Sequence, residues 1–233
     1  MSSQIPSWKP FGLALRDYFK GATETQLSIH QEDGSISKMP VSVFFRDEDE
    51  LPPLESFALD LCQGKILDVG AGAGSHSLIL QNEGFEVTPI DVSDEAVSVM
   101  KARGLTQAKT ASFLNFNADE KFDTLLFLMN GIGICEKLIH LEKHLTHAIS
   151  LCKDDGQILL DSSSLQNSKT GQEEQAVEVN YQLEFNGHFG APYSWLYINQ
   201  HTLMQAANNC GLHTQIIYEE EDGSYLARLT LNS

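Results

Sequence analysis

Apolar and polar positions alternate along the chain in blocks that predict strands and helices in turn. Ile66, Leu67 and Val69 form a short apolar run typical of a strand that is buried on both faces. Phe85–Asp91 is a second run of this kind, and Ser75–Leu80 between the two runs predicts a helix. Strand, helix and strand in this order predict parallel pairing, with helices covering the sheet.

The same alternation continues through the second half of the chain. Ser93 can cap a helix that ends at Gly104, and two further helices are predicted at Glu136–Leu151 and Gln200–Cys210. The predicted strands are Gln107–Ala111, Phe122–Met129, Gln157–Asp161, Leu212–Tyr218 and Tyr225–Leu231. We therefore expect an α/β domain built on a mostly parallel sheet.

Two segments fall outside this alternation. Residues 1–64 predict a helix over Trp8–Phe19 and a β-hairpin around Asp33-Gly34, a pair that suits a tight turn. They hold too few apolar residues for a core of their own, so we expect them to cap a main domain of residues 65–233. The second segment is an insertion at about 164–198, in which a polar stretch, Leu165–Gln175, precedes a half-buried strand at Ala176–Phe185.

Composition narrows the classes of partner. The chain has 233 residues and a net charge of −17, from 15 basic and 32 acidic residues. Such a surface repels nucleic acids and anionic membranes, so we expect neither as a partner. The four cysteines are widely spaced, which predicts free thiols and no zinc site. Because no signal-like or membrane-length apolar run is present, we expect a soluble, cytoplasmic protein.

Three glycines after the first strand predict a ligand site. Gly70, Gly72 and Gly74 lie between a strand and a helix start, where the backbone can approach a ligand and offer free N–H groups. Asp91 ends the next strand, 21 positions after Gly70, as a ribose-binding acid does. A dinucleotide motif would carry its third small residue one position later, and Asp68 would repel a pyrophosphate. A cofactor with a nucleoside and a cationic amine fits better.

The pattern LDVGAGAG…VTPIDVS closely resembles the cofactor signature of the class I S-adenosylmethionine-dependent methyltransferases. The resemblance implies a Rossmann-like, mostly parallel seven-stranded sheet whose last strand is antiparallel. It also implies S-adenosylmethionine as cofactor, with its methionine part over Asp68–Gly74 and its ribose at Asp91. The expected cofactor-binding residues are Asp68, Gly70, Ala71, Gly72, Gly74, Asp91, Val92, Ser112, Phe113 and Met129.

Candidate catalytic residues are few, because methyl transfer mainly requires alignment and exclusion of water. Asn130 follows the fourth strand and either orients an acceptor or caps its turn. His76 either contacts the methionine end of the cofactor or packs on its helix. His140, His144 and His147 share one helix face, for which a solvated surface is expected rather than a metal site.

Aromatic side chains of the insertion predict an acceptor pocket. We expect Tyr181, His188, Tyr193 and Trp195 to line it together with Asn130, and Tyr18 to close it from the N-terminal side, although packing of the extra strand accounts equally well for these aromatics. The acidic or Asn-Pro-Pro-aromatic loop of many DNA and protein amino-methyltransferases is absent, and no cysteine follows a proline. Both observations favour a small-molecule acceptor.

Two other functions remain open at this point. A nicotinamide-dependent oxidoreductase would use a related fold, but the chain has no Tyr-x-x-x-Lys pair and lacks the expected third small residue. A non-catalytic S-adenosylmethionine-binding protein would keep the same cofactor signature. The acceptor atom and the oligomeric state are not predicted.

Overall fold

The computed structural model describes residues 5–163 and 175–232. Its main layer is a seven-stranded sheet, in which parallel strands predominate and the last strand, β12 (Ser224–Leu231), is antiparallel to both of its neighbours. In spatial order the strands are β11 (Leu212–Glu219), β12 (Ser224–Leu231), β7 (Cys152–Ser163), β6 (Phe122–Phe127), β3 (Lys65–Val69), β4 (Glu86–Asp91) and β5 (Lys109–Thr110). The predicted fold class is confirmed.

Helices cover both faces of this sheet because its strands are apolar on both sides. Ile66 and Leu67 are neighbours on β3 and are both fully buried, in two different core clusters. Ile66 belongs to a cluster with Leu80, whereas Leu67 belongs to a cluster with Leu145. The covering helices are α2 (Pro53–Asp60), α3 (Ser75–Asn82), α4 (Asp94–Ala102), α5 (Leu141–Leu151) and α6 (Gln200–Asn209).

A second, antiparallel sheet joins the two segments that lie outside the regular alternation. Its N-terminal strands are β1 (Gln26–Gln31) and β2 (Ile36–Pro40), which follow helix α1 (Lys9–Phe19). Its inserted strands are β8 (Ala176–Phe185), β9 (His188–Phe189) and β10 (Tyr193–Ile198). The order is β10-β8-β1-β2, with β9 on β8, and Ile29 pairs with Leu183. The N-terminal hairpin and the insertion therefore form one layer.

Several element boundaries differ from the predictions. The helix predicted from Glu136 begins at Leu141, because 3-10 turns at Gly131–Cys135 and Leu138–His140 precede it. The strand predicted from Gln157 begins at Cys152 and shifts register against β6. The second strand of the predicted β-hairpin, for which the sequence pattern Ile36–Phe45 predicts a longer run, ends at Pro40 and passes into a 3-10 turn. The polar stretch Leu165–Gln175 lies outside the described residues apart from Gln175.

The histidine face of α5 is not fully solvated. His144 is buried, its Nδ1 bonds the carbonyl oxygen of His140, and its ring stacks on Phe113 with a centroid distance of 6.1 Å. The expectation of a solvated face is therefore wrong for His144, because the turn that carries Phe113 covers this side of the helix. Burial is the main cause that lowers the pKa of His144.

The described residues contain no disulfide, and three of the four cysteines are buried. Burial raises the pKa of the Cys62 thiol to about 12 and that of Cys152 to about 11, so both thiols are protonated at neutral pH. No helix within the described part of the chain is both long enough and apolar enough to cross a bilayer.

Candidate functional site

The turn after β3 leaves open space above Gly70. Gly70, Gly72 and Gly74 all have left-handed φ angles, of 74°, 57° and 81°. The N–H groups of Gly70 and Ala71 both donate to the carbonyl of Ile90, which fixes the turn against β4. A Cβ at Gly70 would meet no atom within 4 Å, whereas one at Gly74 would lie 2.4 Å from Leu105. Gly74 thus serves close packing, and Gly70 leaves room for a ligand.

Asp91 joins the second strand end to this turn. Its Oδ2 accepts the backbone N–H of Gly72 at 3.0 Å, and its Oδ1 accepts the N–H of Ser93 at 2.8 Å. A carboxylate oxygen can accept a second hydrogen bond, so both oxygens keep capacity for ligand hydroxyls. Burial raises the pKa of Asp91 to about 6.

Asp68 places a second carboxylate at the start of the turn. It is buried, and its Oδ2 accepts the hydroxyl of Ser77 at 2.6 Å. Burial is the main cause that raises its pKa, while the charge of His76 and the Ser77 hydrogen bond act in the opposite direction. A cationic group of a ligand at this end of the turn would stabilise the ionised form.

A buried ion network, which the sequence did not reveal, fixes His76. Glu55 on α2 accepts two hydrogen bonds from Arg46 Nη2, at 2.8 and 2.7 Å, and its Oε2 lies 2.7 Å from His76 Nε2. Burial alone would raise the pKa of Glu55, but His76 and Arg46 together outweigh it and hold this pKa below its ordinary value. Arg46, Glu55 and His76 come from separate segments, and no spacing in the sequence links them.

Asp161, at the end of β7, clamps the loop that follows β6. Its two oxygens accept the backbone N–H groups of Asn130 and Gly131, both at 2.9 Å. This pairing holds Met129 and Asn130 in left-handed conformations, with φ of 63° and 56°. Burial raises the pKa of Asp161 to about 6. Sequence reasoning missed Asp161, although its place at the carboxyl end of a strand was a signal.

The side chain of Asn130 is fixed by the second sheet. Its Nδ2 donates to the carbonyl of Leu196 on β10 at 3.1 Å. Its Oδ1 is buried and has no hydrogen-bond partner among the described residues. The side chain cannot be flipped without placing Oδ1 against the Leu196 carbonyl, so the assignment of the two atoms follows from the network.

Aromatic rings continue from this loop along the second sheet. The indole of Trp195 lies against Gly133, and Tyr193 meets Trp195 edge to face at a centroid distance of 6.2 Å. Tyr181 lies 6.1 Å from Tyr193, and its hydroxyl is 3.2 Å from that of Tyr197. We call Tyr181, Tyr193, Trp195 and Tyr197 the aromatic row.

The N-terminal segment covers the glycine turn. A Cβ at Gly72 would lie 3.5 Å from Phe11 and 3.8 Å from Phe44, and the hydroxyl of Ser75 donates to the carbonyl of Phe44. Tyr18 packs on Phe45 with a centroid distance of 4.5 Å. Phe11, Tyr18, Phe44 and Tyr193 pack against one cluster that also holds Ala73 of the turn. Both extra segments thus meet at the predicted ligand site.

Not all predicted residues gather here. His188 is exposed on β9, where it pairs with Phe185 of β8. Phe185 lies four residues along β8 from Tyr181, a distance of about 13 Å. Phe113 lies in the core, where its ring packs on Phe127 and His147 at 5.1 and 4.9 Å. The hydroxyl of Ser112 accepts a hydrogen bond from Asn115. Val92 and Met129 are half-buried at the ends of β4 and β6.

Sequence comparisons identify relatives of the chain. A family model described as a methyltransferase domain matches residues 45–215. A protein of Geobacillus sp. that is named as a methyltransferase is 29% identical over 43% of the chain. An uncharacterized methyltransferase of Staphylococcus carnosus is 27% identical over 56% of the chain. These alignments span 42% and 60% of the two relatives' own lengths.

Structural comparison extends the likeness to the whole chain. The crystal structure of a S-adenosylmethionine-dependent methyltransferase from Bacteroides fragilis, in complex with S-adenosyl-L-homocysteine, is 35% identical. The match covers 99% of this chain and 98% of that one, with a TM-score of 0.90. A S-adenosylmethionine-dependent methyltransferase from Clostridium acetobutylicum is 13% identical over 76% of this chain and 87% of its own, with a TM-score of 0.56, and shows the fold alone.

Proposed function

The chain belongs to the S-adenosylmethionine-dependent methyltransferases, and from this premise we propose that it methylates a small-molecule acceptor. Because the chain belongs to this family, we favour methyl transfer over the two alternatives left open by the sequence, an oxidoreductase and a non-catalytic binding protein. The proposal has three parts: a donor site at the glycine turn, an acceptor site at the aromatic row, and an acceptor of low molecular mass.

The donor site is assigned to the glycine turn because its groups match the parts of S-adenosylmethionine. The open space above Gly70 admits a ligand, and Asp91 keeps acceptor capacity for ribose hydroxyls. The buried carboxylate of Asp68 suits the cationic methionine amine. When bound, S-adenosylmethionine supplies an electrophilic methyl group on a sulfonium. The hydrogen bond between Asp91 and Gly72 is the observation that carries this assignment.

The acceptor site is assigned to the loop at Asn130 and the aromatic row. Asp161 and the Leu196 carbonyl hold the loop in one conformation, which fixes the position of the Asn130 amide. The aromatic row provides a wall that excludes water, and exclusion of water favours attack by a nucleophile. The net charge of −17 disfavours a nucleic acid as acceptor. A sugar N-methyltransferase from Streptoalloteichus shares the fold at 11% identity, with a TM-score of 0.58.

We assign the covering role to residues 1–64 and to the insertion at about 164–198, with residues 65–233 as the main domain. The support is the joint sheet that these segments form beside the glycine turn. A reducing, cytoplasmic setting suits the free cysteines.

Two measurements test the proposed function. S-adenosylhomocysteine should raise the melting temperature of the purified protein, and NAD should leave it unchanged, because only a bound ligand stabilises by mass action. Protein incubated with methyl-labelled S-adenosylmethionine and a heat-treated cell extract should yield a labelled product in the ultrafiltrate that separates from S-adenosylmethionine by chromatography. A labelled product found in the retained macromolecules alone would contradict a small-molecule acceptor.

A further inference from the structure

We infer that the methyl acceptor is an amine whose nitrogen donates a hydrogen bond to Asn130 Oδ1, beside the wall formed by the aromatic row. This inference rests on the proposed function and names the chemical class of its acceptor. Its starting point is the buried amide oxygen of Asn130, which has no partner among the described residues.

An amide oxygen in this position calls for a donor from a ligand. The Nδ2 group donates to the Leu196 carbonyl, so Oδ1 is the atom of this amide that is left without a partner among the described residues. A buried acceptor without a partner destabilises the free protein, and a ligand N–H or O–H would remove that cost. The backbone of Asn130 is held by Asp161, and its Nδ2 donates to Leu196, so the side chain cannot rotate to another partner without breaking the hydrogen bond to Leu196.

The charges around this atom favour a neutral or cationic ligand over an anion. Asp161 lies directly behind the loop, and its oxygens accept two backbone N–H groups. The basic groups Arg46 and His76 both bind Glu55 instead. An acceptor carrying a carboxylate or phosphate next to the reacting atom would therefore face a buried carboxylate without a free cation from this network.

The aromatic row matches the same ligand class. The rings of Trp195 and Tyr193 lie edge to face, and their π-systems attract cations as well as alkyl groups. Trp195 packs on Gly133, and the carbonyl of its neighbour Leu196 accepts a hydrogen bond from the Asn130 amide. The aromatic row and Asn130 Oδ1 therefore belong to one site. A methylated amine is a cation, and the ring faces would stabilise it.

The chemistry of the step separates an amine from an alcohol. A neutral amine attacks with its lone pair, so the N–CH3 bond forms while the C–S bond breaks and leaves its electron pair on sulfur. The nitrogen becomes cationic and then loses one proton to water. An alcohol needs a base during the attack, and the Asn130 amide is not a base. Asn130 can, however, orient an N–H and so aim the lone pair.

The test uses the protein saturated with S-adenosylhomocysteine and three probes of one shape: benzylamine, benzyl alcohol and benzoate. Calorimetric titration should show benzylamine binding at least about tenfold more tightly than the other two. Asn130→Gly, which suits the left-handed backbone, should weaken benzylamine binding about tenfold and spare S-adenosylhomocysteine. Asn186→Gly is the matched control, because Asn186 is also left-handed, with φ of 49°, but lies in the turn between β8 and β9. It should bind both ligands like the wild type.

Three results would overturn the inference. They are absent binding of benzylamine at millimolar concentration, equal binding of the alcohol or benzoate, and a loss of S-adenosylhomocysteine affinity instead of benzylamine affinity in Asn130→Gly. The last result would indicate that Asn130 Oδ1 binds the cofactor rather than the methyl acceptor. If the wild type does not bind S-adenosylhomocysteine, the proposed function fails, which this design detects before any probe is added.

Discussion

The indole nitrogen of Trp195 occupies the space that a side chain on Gly133 would need. A Cβ built on Gly133 would lie 2.0 Å from Trp195 Nε1, far inside van der Waals contact. Gly133 belongs to the 3-10 turn after Asn130, and Trp195 belongs to the inserted strand β10. The loop of the main domain and the second sheet are therefore fitted to each other at this point.

This fit predicts coupling between the two positions. Gly133→Ala should destabilise the protein by about 1–3 kcal/mol, because the loop or the indole has to move. In Gly133→Ala/Trp195→Ala the clash is removed, so the loss should be smaller than the sum of the single losses by about 0.5–3 kcal/mol. Urea unfolding of the wild type, Gly133→Ala, Trp195→Ala and the double variant measures these changes in the free energy of unfolding. Additive losses would show that the indole does not pack on Gly133.

The Glu55 network predicts a pH-dependent stability. Glu55→Gln should destabilise the protein by about 3–5 kcal/mol at neutral pH, since it leaves Arg46, whose side chain is only 17% exposed, without its charged partner. The pKa of Glu55 is below its ordinary value in the folded protein. Its contribution is therefore complete above the unfolded pKa of about 4.3 and is lost as the pH falls through the folded pKa. The gap between wild type and variant should narrow in acid.

Glu86→Gln is the matched control for this experiment. Glu86 also forms an ion pair, with Lys65 at 3.1 Å, but 52% of its side-chain surface is exposed. Exposed pairs contribute about 0–1 kcal/mol. Equal losses in Glu55→Gln and Glu86→Gln would contradict a buried, structurally required network.

Donor affinity should depend on the ionisation of Asp91. Burial raises the folded pKa of Asp91 to about 6, so without ligand its ionisation lowers stability as the pH rises from about 4 to 6. Ribose hydroxyls donate to the ionised form, so S-adenosylhomocysteine should bind more tightly as the pH rises through about 6. Burial raises the pKa of Asp161 to about 6 as well, so Asp161 adds its own pH dependence to the binding curve. Asp91→Asn retains Asp161, so the difference between this variant and the wild type isolates the contribution of Asp91. Calorimetry of both proteins from acid to neutral pH should give a steeper curve for the wild type, and parallel curves would contradict the role of Asp91.

The residues of the proposed donor site could be picked out from the sequence because they are close together along the chain. Gly70, Gly72 and Asp91 lie within one strand-helix-strand unit. The order of apolar strand, glycines and helix start along the chain predicts where the turn of such a unit lies. The structure puts the three residues together, with Asp91 bonded to the Gly72 N–H. The antiparallel last strand followed from the resemblance rather than from periodicity.

The surroundings of the proposed acceptor site were harder to predict because they depend on long-range pairing. Ser28 of the N-terminal hairpin pairs with Glu184 of the insertion, and no local pattern specifies that two distant segments share a sheet. Asp161 and Glu55 act through contacts across separate elements, which spacing does not encode. The sequence did single out Tyr181, Tyr193 and Trp195, because aromatic side chains on an insertion are conspicuous even without their partners.

Titration of S-adenosylhomocysteine by calorimetry tests the central claim, that the donor lies between the glycine turn and Asp91. Wild-type protein should bind one ligand per chain, Asp91→Ala should bind it roughly 10- to 150-fold more weakly, and Gly72→Val should lose binding. Gly84→Val is the matched control, because Gly84 has φ of 96° and open space around it but lies at the far end of α3. Wild-type affinity in Asp91→Ala and Gly72→Val would contradict this account.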